Sequence, residues 1–264
     1  MFKKGIAPTV LVVLVVLSGC SGVVNTTPTD EQPSPTKTLS LGAVTYPDGV
    51  TESSVDGDVV ASNHKEYLSD KNLTLREEIN VSTGGSMKKA TLHEKVGANQ
   101  NPVWFQTEKP NKTETAYVQN WTKYVRNSTG NNTTYRVESH VPSSMILPPS
   151  YSGSRDLNRT FKMAEFEPVG AYSKGGQKRI VLETTSDNHY AKDGSEITEF
   201  NATIEIDQRG FVHSLSTRIV FSRNNQTVEQ QSVMTITDIN STTVPTPSWL
   251  EEAKTQRETT IETS

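Results

Sequence analysis

The chain has 264 residues, a formal net charge of −4 and 33% hydrophobic residues, and its only cysteine is Cys20. This length predicts one main domain with a sizeable apolar core. The mild negative charge, without a basic cluster, excludes a nucleic-acid-binding surface, and a lone cysteine excludes an internal disulfide.

Residues 1–19 have the three-part plan of a secretory signal: two lysines, an apolar run over 6–17, and small residues before Cys20. The run is too short to cross a membrane, which takes roughly 20 apolar residues. The sequence Leu-Ser-Gly-Cys that ends at Cys20 is typical of a lipobox. It predicts cleavage before Cys20, acylation of the thiol, and a domain held on the outer face of the cell membrane.

An ordinary buried cysteine is the alternative interpretation of Cys20. It would require a packed core around Ser-Gly-Cys-Ser-Gly, whose residues are small. Lipidation is favoured instead, and two acyl chains anchor a protein stably at about 0.8 kcal/mol per buried methylene.

Residues 20–55 are rich in Ser, Thr and Pro and predict a flexible tether, because such a composition buries too little apolar surface to order the chain. The folded domain is predicted over 56–254. Residues 255–264 are expected to be a frayed tail.

The stretch from Asp56 to Ser69 predicts the first helix, with Asp56 or Asp58 as its cap. Its apolar stripe has helical spacing and consists of Val60, His64, Tyr67 and Leu68. His64 on such a stripe is more often a buried, hydrogen-bonded histidine than a ligand.

After this helix the apolar residues alternate, which predicts about nine strands joined mostly by tight turns. They cover residues 73–81, 90–96, 103–105, 115–125, 135–137, 178–185, 200–206, 211–221 and 228–236.

Two further stretches carry weaker signals. Residues 141–158 predict a long connection, and 161–169 fit either a helix or a strand, so the structure of 141–175 stays open.

Ser248 and Glu251 have the spacing of a capping box, which predicts a short C-terminal helix that lays Trp249 and Leu250 on the sheet.

The predicted fold is of the α+β class and mainly β: a curved antiparallel meander, or half-barrel, with one helix before it and one after. Such a sheet has one apolar face and only two helices to cover it. It must therefore close on itself or wrap around something.

A resemblance rests on the lipobox, the tether, the hairpins, the spacing Ala61-x-x-His64-x-x-x-Leu68 and the closing Pro247-x-Trp249-Leu250-x-x-Ala253. Together these resemble uncharacterised surface lipoproteins of halophilic archaea. The order of elements is similar to the half-barrels of bacterial lipoprotein carriers and mycobacterial glycolipid-binding lipoproteins. The resemblance implies an apolar groove that holds acyl chains.

Polar residues interrupt the face that would line this groove. The alternation places Glu77, Glu94, Gln230 and Ser232 on the presumed inner face, which argues against a deep apolar cavity.

Twelve Asn-x-Ser/Thr sequons are candidates for glycosylation in an exported protein. They begin at Asn25, Asn72, Asn80, Asn111, Asn120, Asn127, Asn131, Asn132, Asn158, Asn201, Asn225 and Asn240. Those in predicted turns are favoured, namely Asn127, Asn131, Asn132 and Asn225.

No catalytic set emerges. Ser86 and Lys89 have the Ser-x-x-Lys spacing of penicillin-recognising enzymes, but they follow two glycines in a predicted hairpin and lack that family's other motifs. No zinc-binding cluster is present in the sequence.

The sequence therefore predicts a non-enzymatic protein without a cofactor, anchored to the membrane through acylated Cys20 and binding a lipid or other hydrophobic ligand. The alternative is a glycosylated cell-surface structural or protein-interaction module without a small-molecule ligand. The oligomeric state is not predicted.

Overall fold

A computed structural model of the chain describes residues 36–139, 152–185, 191–192, 195–223 and 226–262. These residues form an antiparallel sheet of thirteen strands and three α-helices. In the described part of the chain, no helix is long and apolar enough to span a membrane.

The strands are β1 (Lys37–Leu39), β2 (Leu73–Thr83), β3 (Ser86–Val96), β4 (Val103–Lys109), β5 (Lys112–Gln119), β6 (Thr122–Thr129), β7 (Asn132–Ser139), β8 (Phe166–Lys174), β9 (Gln177–Thr184), β10 (Ala191–Lys192), β11 (Ser195–Asp207), β12 (Val212–Arg223) and β13 (Gln226–Thr237). The helices are α1 (Gly57–Leu68), α2 (Ser154–Phe161) and α3 (Leu250–Glu262). Two 3-10 turns cover Leu41–Ala43 and Ala98–Gln100.

The strand order is β1-β8-β9-β11-β12-β13-β2-β3-β4-β5-β6-β7, with β10 paired to β11. Among the described residues the sheet is open, with β1 at one edge and β7 at the other. The predicted class, a mainly β antiparallel half-barrel, is confirmed.

The predicted number of strands is wrong. The single strand expected over 115–125 is two strands, β5 and β6, joined by a tight turn at Asn120 and Trp121. Both turn residues have positive φ, 50° and 63°, as a type I′ hairpin turn requires. Because Trp rarely adopts this conformation, the sequence carried no turn signal there.

The stretches left open or predicted as connections also contain regular structure. Residues 154–158 begin α2, and the stretch 161–169 ends that helix and starts β8. Lys37–Leu39 pairs with β8 and Val50 is buried, so the predicted tether contacts the sheet from residue 37 onward. The C-terminal helix continues to Glu262, beyond the predicted end at Lys254.

The two faces of the sheet are covered by different helices. The inner face, which we define as the face carrying Leu75, packs with α1 and α2 in the main core. The outer face of the β4–β7 region carries Tyr117, against which α3 lays Trp249, Leu250 and Ala253. Each helix therefore hides an apolar surface that the open sheet would leave in water.

His64 joins three parts of the inner layer. Its Nδ1 accepts a hydrogen bond from the backbone N–H of Val212 at 3.1 Å, so its Nε2–H donates to the carbonyl of Ser152. The ring stacks on Phe211, with centroids 5.4 Å apart. Burial lowers the pKa of His64 to about 4, and the prediction of a buried, hydrogen-bonded histidine is confirmed.

We predict that His64→Ala lowers the free energy of unfolding by roughly 2–4 kcal/mol, because it leaves two buried backbone groups unpaired and opens a void. Urea unfolding at pH 7 measures this loss. Lys65→Ala, an exposed change on the same helix, should have little effect.

The same variant should also change the pH dependence. A histidine with a pKa near 4 in the fold and about 6.5 when unfolded contributes its full stability above pH 6.5 and loses it as the pH falls through about 4. The variant should lack this loss. Equal stability of His64→Ala and the native chain across this pH range would contradict the assignment.

Candidate functional site

A small pocket of about 60 Å³ lies between α2 and the inner face of the sheet. Its polar lining is Glu77, Asp156, Arg159, Thr160, Thr217, Gln230 and Ser232. Its apolar lining is Met163, Phe200, Leu215, Ile219 and Met234. The pocket thus combines an apolar floor with a carboxylate-bearing wall.

Strand register brings Glu77 of β2 beside Glu94 of β3. Glu77 pairs with Leu92, while Glu94 pairs with Leu75, so the two carboxyl side chains are diagonal neighbours on one face. Ser232 and Gln230 pair with Ile79 and Val81 on the same face. The predicted inward placement of all four polar residues is confirmed.

Glu94 is fully buried, and neither carboxyl oxygen has a hydrogen-bond partner among the described residues. Burial raises its pKa to about 8, and the charges of Glu77 and Asp156 add to the effect. Glu94 is therefore mostly protonated at neutral pH. A buried polar group without a partner destabilises a fold by roughly 1–3 kcal/mol.

Glu77 and Asp156 are partly buried and complete the acidic group. Burial raises the pKa of Glu77, although Ser232 Oγ donates a 2.6 Å hydrogen bond to its carboxylate. Burial also raises the pKa of Asp156, against the opposing charges of Arg155 and Arg159. We call Glu77, Glu94 and Asp156 the acid triad; three elements, β2, β3 and α2, supply it.

An apolar strip follows the acid triad along the inner face, and Gln230 and Ser232 of β13 lie between its β2 and β12 residues. It consists of Ile79, Val81, Ala90, Leu92, Ile219, Phe221 and Val228, which we call the inner strip. All except Val228 are partly exposed. The strip runs toward the hairpin turn at Gly84 and Gly85. The polar pocket lies at its other end.

A second, open depression of about 440 Å³ lies beside α1, and Asn63, Tyr67, Gln208 and Arg209 are among its lining residues. One of its charged side chains, Arg209, is engaged within the fold. Arg209 pairs with Asp207 at 2.6 Å and lies 5.0 Å from the centre of the Tyr67 ring. Burial alone would raise the pKa of Asp207, but hydrogen bonds from His213 and Arg209 outweigh it and lower that pKa. The positive charge of Arg209 at this depression is therefore already paired within the fold.

The arrangement does not form a metal centre. Across the described ranges, no group of three or more His, Cys, Asp or Glu side chains is placed to hold a metal ion. Ser86 and Lys89 lie three residues apart on β3 and so point to opposite faces, and Lys89 pairs with Glu78 at 2.7 Å.

Two of the predicted site residues, Cys20 and Asn225, lie outside the described residues. Asn131 and Asn132 are exposed at the β6–β7 turn. Asn127 is not in a turn but inside β6, and its side-chain oxygen is buried, because the turn begins three residues later than the sequence suggested. Glycosylation of these residues stays a prediction.

Asp156 was not among the predicted site residues. It lies in the first turn of α2, in a stretch predicted as a connection. Its proximity to Glu77 comes from the packing of α2 on the sheet, for which the local sequence Ser-Arg-Asp offers no signal.

Comparison with known families places the chain. The model of a family of unknown function, DUF7537, matches residues 6–253. The chain belongs to this family. Among curated proteins, none matches its sequence.

Solved structures with a similar fold have 10–12% sequence identity to the chain. They include a LolA-superfamily protein from Nitrosomonas europaea (10% identity, 72% of this chain and 96% of that chain, TM-score 0.28). A MucA/MucB complex from Pseudomonas aeruginosa has 12% identity, 74% and 60% coverage and a TM-score of 0.35. A DUF1329-family protein from Desulfovibrio piger has 10% identity, 73% and 94% coverage and a TM-score of 0.28. At these TM-scores the similarities do not bear on function.

We predict that Glu94→Gln removes part of the pH dependence of stability. A carboxyl with a pKa of about 8 in the fold and about 4.5 when unfolded contributes full stability below pH 4.5 and loses it as the pH rises through about 8. The native chain should therefore lose roughly 3–5 kcal/mol relative to the variant over this range.

Urea unfolding of both chains at several values between pH 4.5 and 9 measures the difference. Glu183→Gln, an exposed change on β9, is the matched control and should run parallel to the native chain. Parallel curves for Glu94→Gln and the native chain would show that Glu94 does not titrate abnormally.

Proposed function

We propose that the protein is an extracytoplasmic lipoprotein that binds a hydrophobic ligand along the inner strip. The observation that carries this proposal is the partly exposed run of apolar side chains on the inner face. Burying apolar surface contributes roughly 25 cal/mol per Å², so an open apolar strip beside a polar pocket favours a bound apolar chain.

The dimensions of the site define how such a ligand lies. A pocket of about 60 Å³ is far smaller than the roughly 300–1,000 Å³ of typical ligand pockets. It has room for a small polar group only. The apolar part of the ligand therefore lies on the strip, between the inner-face side chains of β2, β3, β12 and β13.

We further propose that Cys20 carries the acyl anchor and holds the domain on the outer face of the membrane. The lipobox sequence and the secretory signal support this, and the family match over 6–253 includes Cys20. We also propose that the chain comes from a halophilic archaeon, as its resemblance suggests, and that it has no catalytic residue.

The alternative, a surface interaction module without a small ligand, has its own support. Trp121, Met87, Val169 and Val233 are large apolar residues that are 46–73% exposed. They lie on separate parts of the surface, however, and single exposed apolar residues are common in soluble domains. The inner strip, by contrast, brings several partly exposed apolar side chains onto one face of neighbouring strands.

We predict that Cys20→Ser leaves the protein unprocessed at residue 19 and releases it from acyl-dependent membrane attachment. Fractionation of cells with metabolic labelling by a fatty-acid analogue measures both effects. Label on the Cys20→Ser chain, or unchanged processing, would contradict the anchor.

We predict that the full chain carrying Cys20→Ser binds an uncharged pyrene-labelled alkyl alcohol, and that adding Ile79→Asp weakens binding at least tenfold. The new carboxylate would meet the alkyl chain on the strip. Fluorescence titration measures the affinity.

Val233→Asp is the matched control, because Val233 lies on the outer face of β13 and is 47% exposed. Both variants keep the apolar leader, so any probe bound there is common to them. Equal affinities of the two variants would contradict binding along the inner strip.

A further inference from the structure

We propose that the depression beside α1 binds a neutral, polyhydroxylated ring, which is the chemistry of a sugar in an oligosaccharide. The depression lies where the β11–β12 turn meets α1, at the end of the strands opposite the turn at Gly84 and Gly85. It shares no lining residue with the inner strip. Four observations support the proposal: a rigid frame, free hydrogen-bonding atoms, the balance of charge and the size of the depression.

Three segments of the chain build the frame, and hydrogen bonds hold them together. Asn63 Nδ2 of α1 donates to the carbonyl of Asp48 at 3.3 Å, and Gln208 Nε2 of the β11–β12 turn donates to the carbonyl of Thr45 at 3.3 Å. Gly210 in this turn has a φ of 81°, and a Cβ at this position would lie 3.2 Å from the Cβ of Asn63. The glycine thus lets the turn pack directly on α1.

Two more lining side chains are fixed by their neighbours. The ring of Tyr67 stacks on Phe211, with centroids 5.1 Å apart. Arg209 donates through Nε and Nη2 to the carboxylate of Asp207, and its guanidinium lies 5.0 Å from the centre of the Tyr67 ring. Side chains that are already fixed lose little conformational entropy when a ligand binds, so this frame favours binding.

The fixed polar side chains keep atoms free for a ligand. Asn63 and Gln208 use only their amide nitrogens in these bonds, so among the described residues their side-chain oxygens remain as acceptors. Arg209 likewise keeps the N–H groups of Nη1 as donors. The carboxylates of Asp48 and Glu66 accept no hydrogen bond within the described part of the chain. The depression therefore presents acceptors and donors side by side.

Tyr46 adds an unpaired polar atom and apolar surface. Its hydroxyl is buried and has no hydrogen-bond partner among the described residues, whereas buried polar groups are normally paired. A ligand hydroxyl that bonds to Tyr46 supplies this partner. Tyr46, Pro47 and Tyr67 also line the depression with carbon atoms, which suit the C–H groups of a sugar ring.

The balance of donors, acceptors and charge favours a neutral ligand. An ammonium group only donates, so it would leave the free N–H groups of Arg209 without a partner. A carboxylate or phosphate would be repelled by Asp48 and Glu66, because the charge of Arg209 is already paired with Asp207. A hydroxyl group both donates and accepts, and so it pairs with both kinds of free atom.

The size of the depression fits an oligosaccharide. Its volume of about 440 Å³ lies within the roughly 300–1,000 Å³ of typical ligand pockets. It equals the volume of about fifteen water molecules, at about 30 Å³ each. This is room for more than one sugar ring, and the open shape lets the rest of a chain extend into solvent.

The test uses the full chain carrying Cys20→Ser and saturation-transfer NMR titrations at pH 7. The probes are four neutral trisaccharides, namely maltotriose, cellotriose, mannotriose and triacetylchitotriose. Trigalacturonate and spermidine are the anionic and cationic comparisons. We expect at least one neutral trisaccharide to bind at least tenfold more tightly than either charged compound.

Variants then assign this binding to the depression. Asp48→Ala and Glu66→Ala each remove a free acceptor on an exposed residue and should weaken binding of the trisaccharide at least fivefold. Lys65→Ala is the matched control, because Lys65 is the exposed neighbour of Glu66 outside the lining. Thermal melting and an unchanged affinity for the pyrene-labelled alkyl alcohol show that the variants stay folded.

Three outcomes would overturn the proposal. The first is that none of the four neutral trisaccharides binds at millimolar concentration. The second is a preference for spermidine or trigalacturonate, which would indicate a charged ligand instead. The third is a neutral preference that Asp48→Ala and Glu66→Ala both leave unchanged, since the sugar would then bind elsewhere on the protein.

Discussion

The pairing of β2 with β13 is the constraint on which the rest of the structure depends. It joins the meander β2–β7 to the strands β8–β13 through a ladder that runs from Thr74 opposite Thr237 to Thr83 opposite Val228. Side chains alternate between faces, so a slip of one residue would move Glu77, Ile79 and Val81 to the outer face. The acid triad and the inner strip exist only in this register.

The open sheet divides its helices between two tasks. On the inner face, α1 and α2 contribute to the main core, and the inner strip stays partly exposed. On the outer face, α3 covers the aromatic cluster around Tyr117. Because α3 covers the outer face of the same sheet, it does not compete with a ligand on the inner face.

Much of this arrangement follows from local sequence. The alternation of Leu73, Leu75, Ile79 and Val81 predicts both the strand and its inner face, and the same logic places Glu77 and Glu94 inward. Strand pairs that are joined by a turn with glycine can also be predicted from the sequence. The sequence fails where local signals are unusual, as at the turn of Asn120 and Trp121, whose positive φ values contradict the preference of Trp.

The site itself is less predictable, because its chemistry depends on contacts distant in sequence. Asp156 reaches the triad through the packing of α2, and nothing in residues 154–158 indicates that contact. The inward direction of Glu94 follows from alternation, but its lack of a partner follows only from what β2, β4 and α2 place around it. Asn127 shows the same limit, since its burial depends on where the β6–β7 turn begins.

Glu94 lies at a position where an apolar residue would give a more stable fold. Its direct neighbours across the strands are Leu75 and Phe105, both buried, so an apolar residue would pack at position 94 without a desolvated carboxyl. Glu77 and Asp156 make the burial less favourable still, because their charges oppose ionisation of Glu94. Residues that break a local rule of packing are found mainly where a protein binds or reacts. Arg155 and Arg159 oppose the rise in the pKa of Asp156, but Glu94 has no hydrogen-bond partner among the described residues, so the fold keeps this carboxyl at a cost in stability that its packing does not explain.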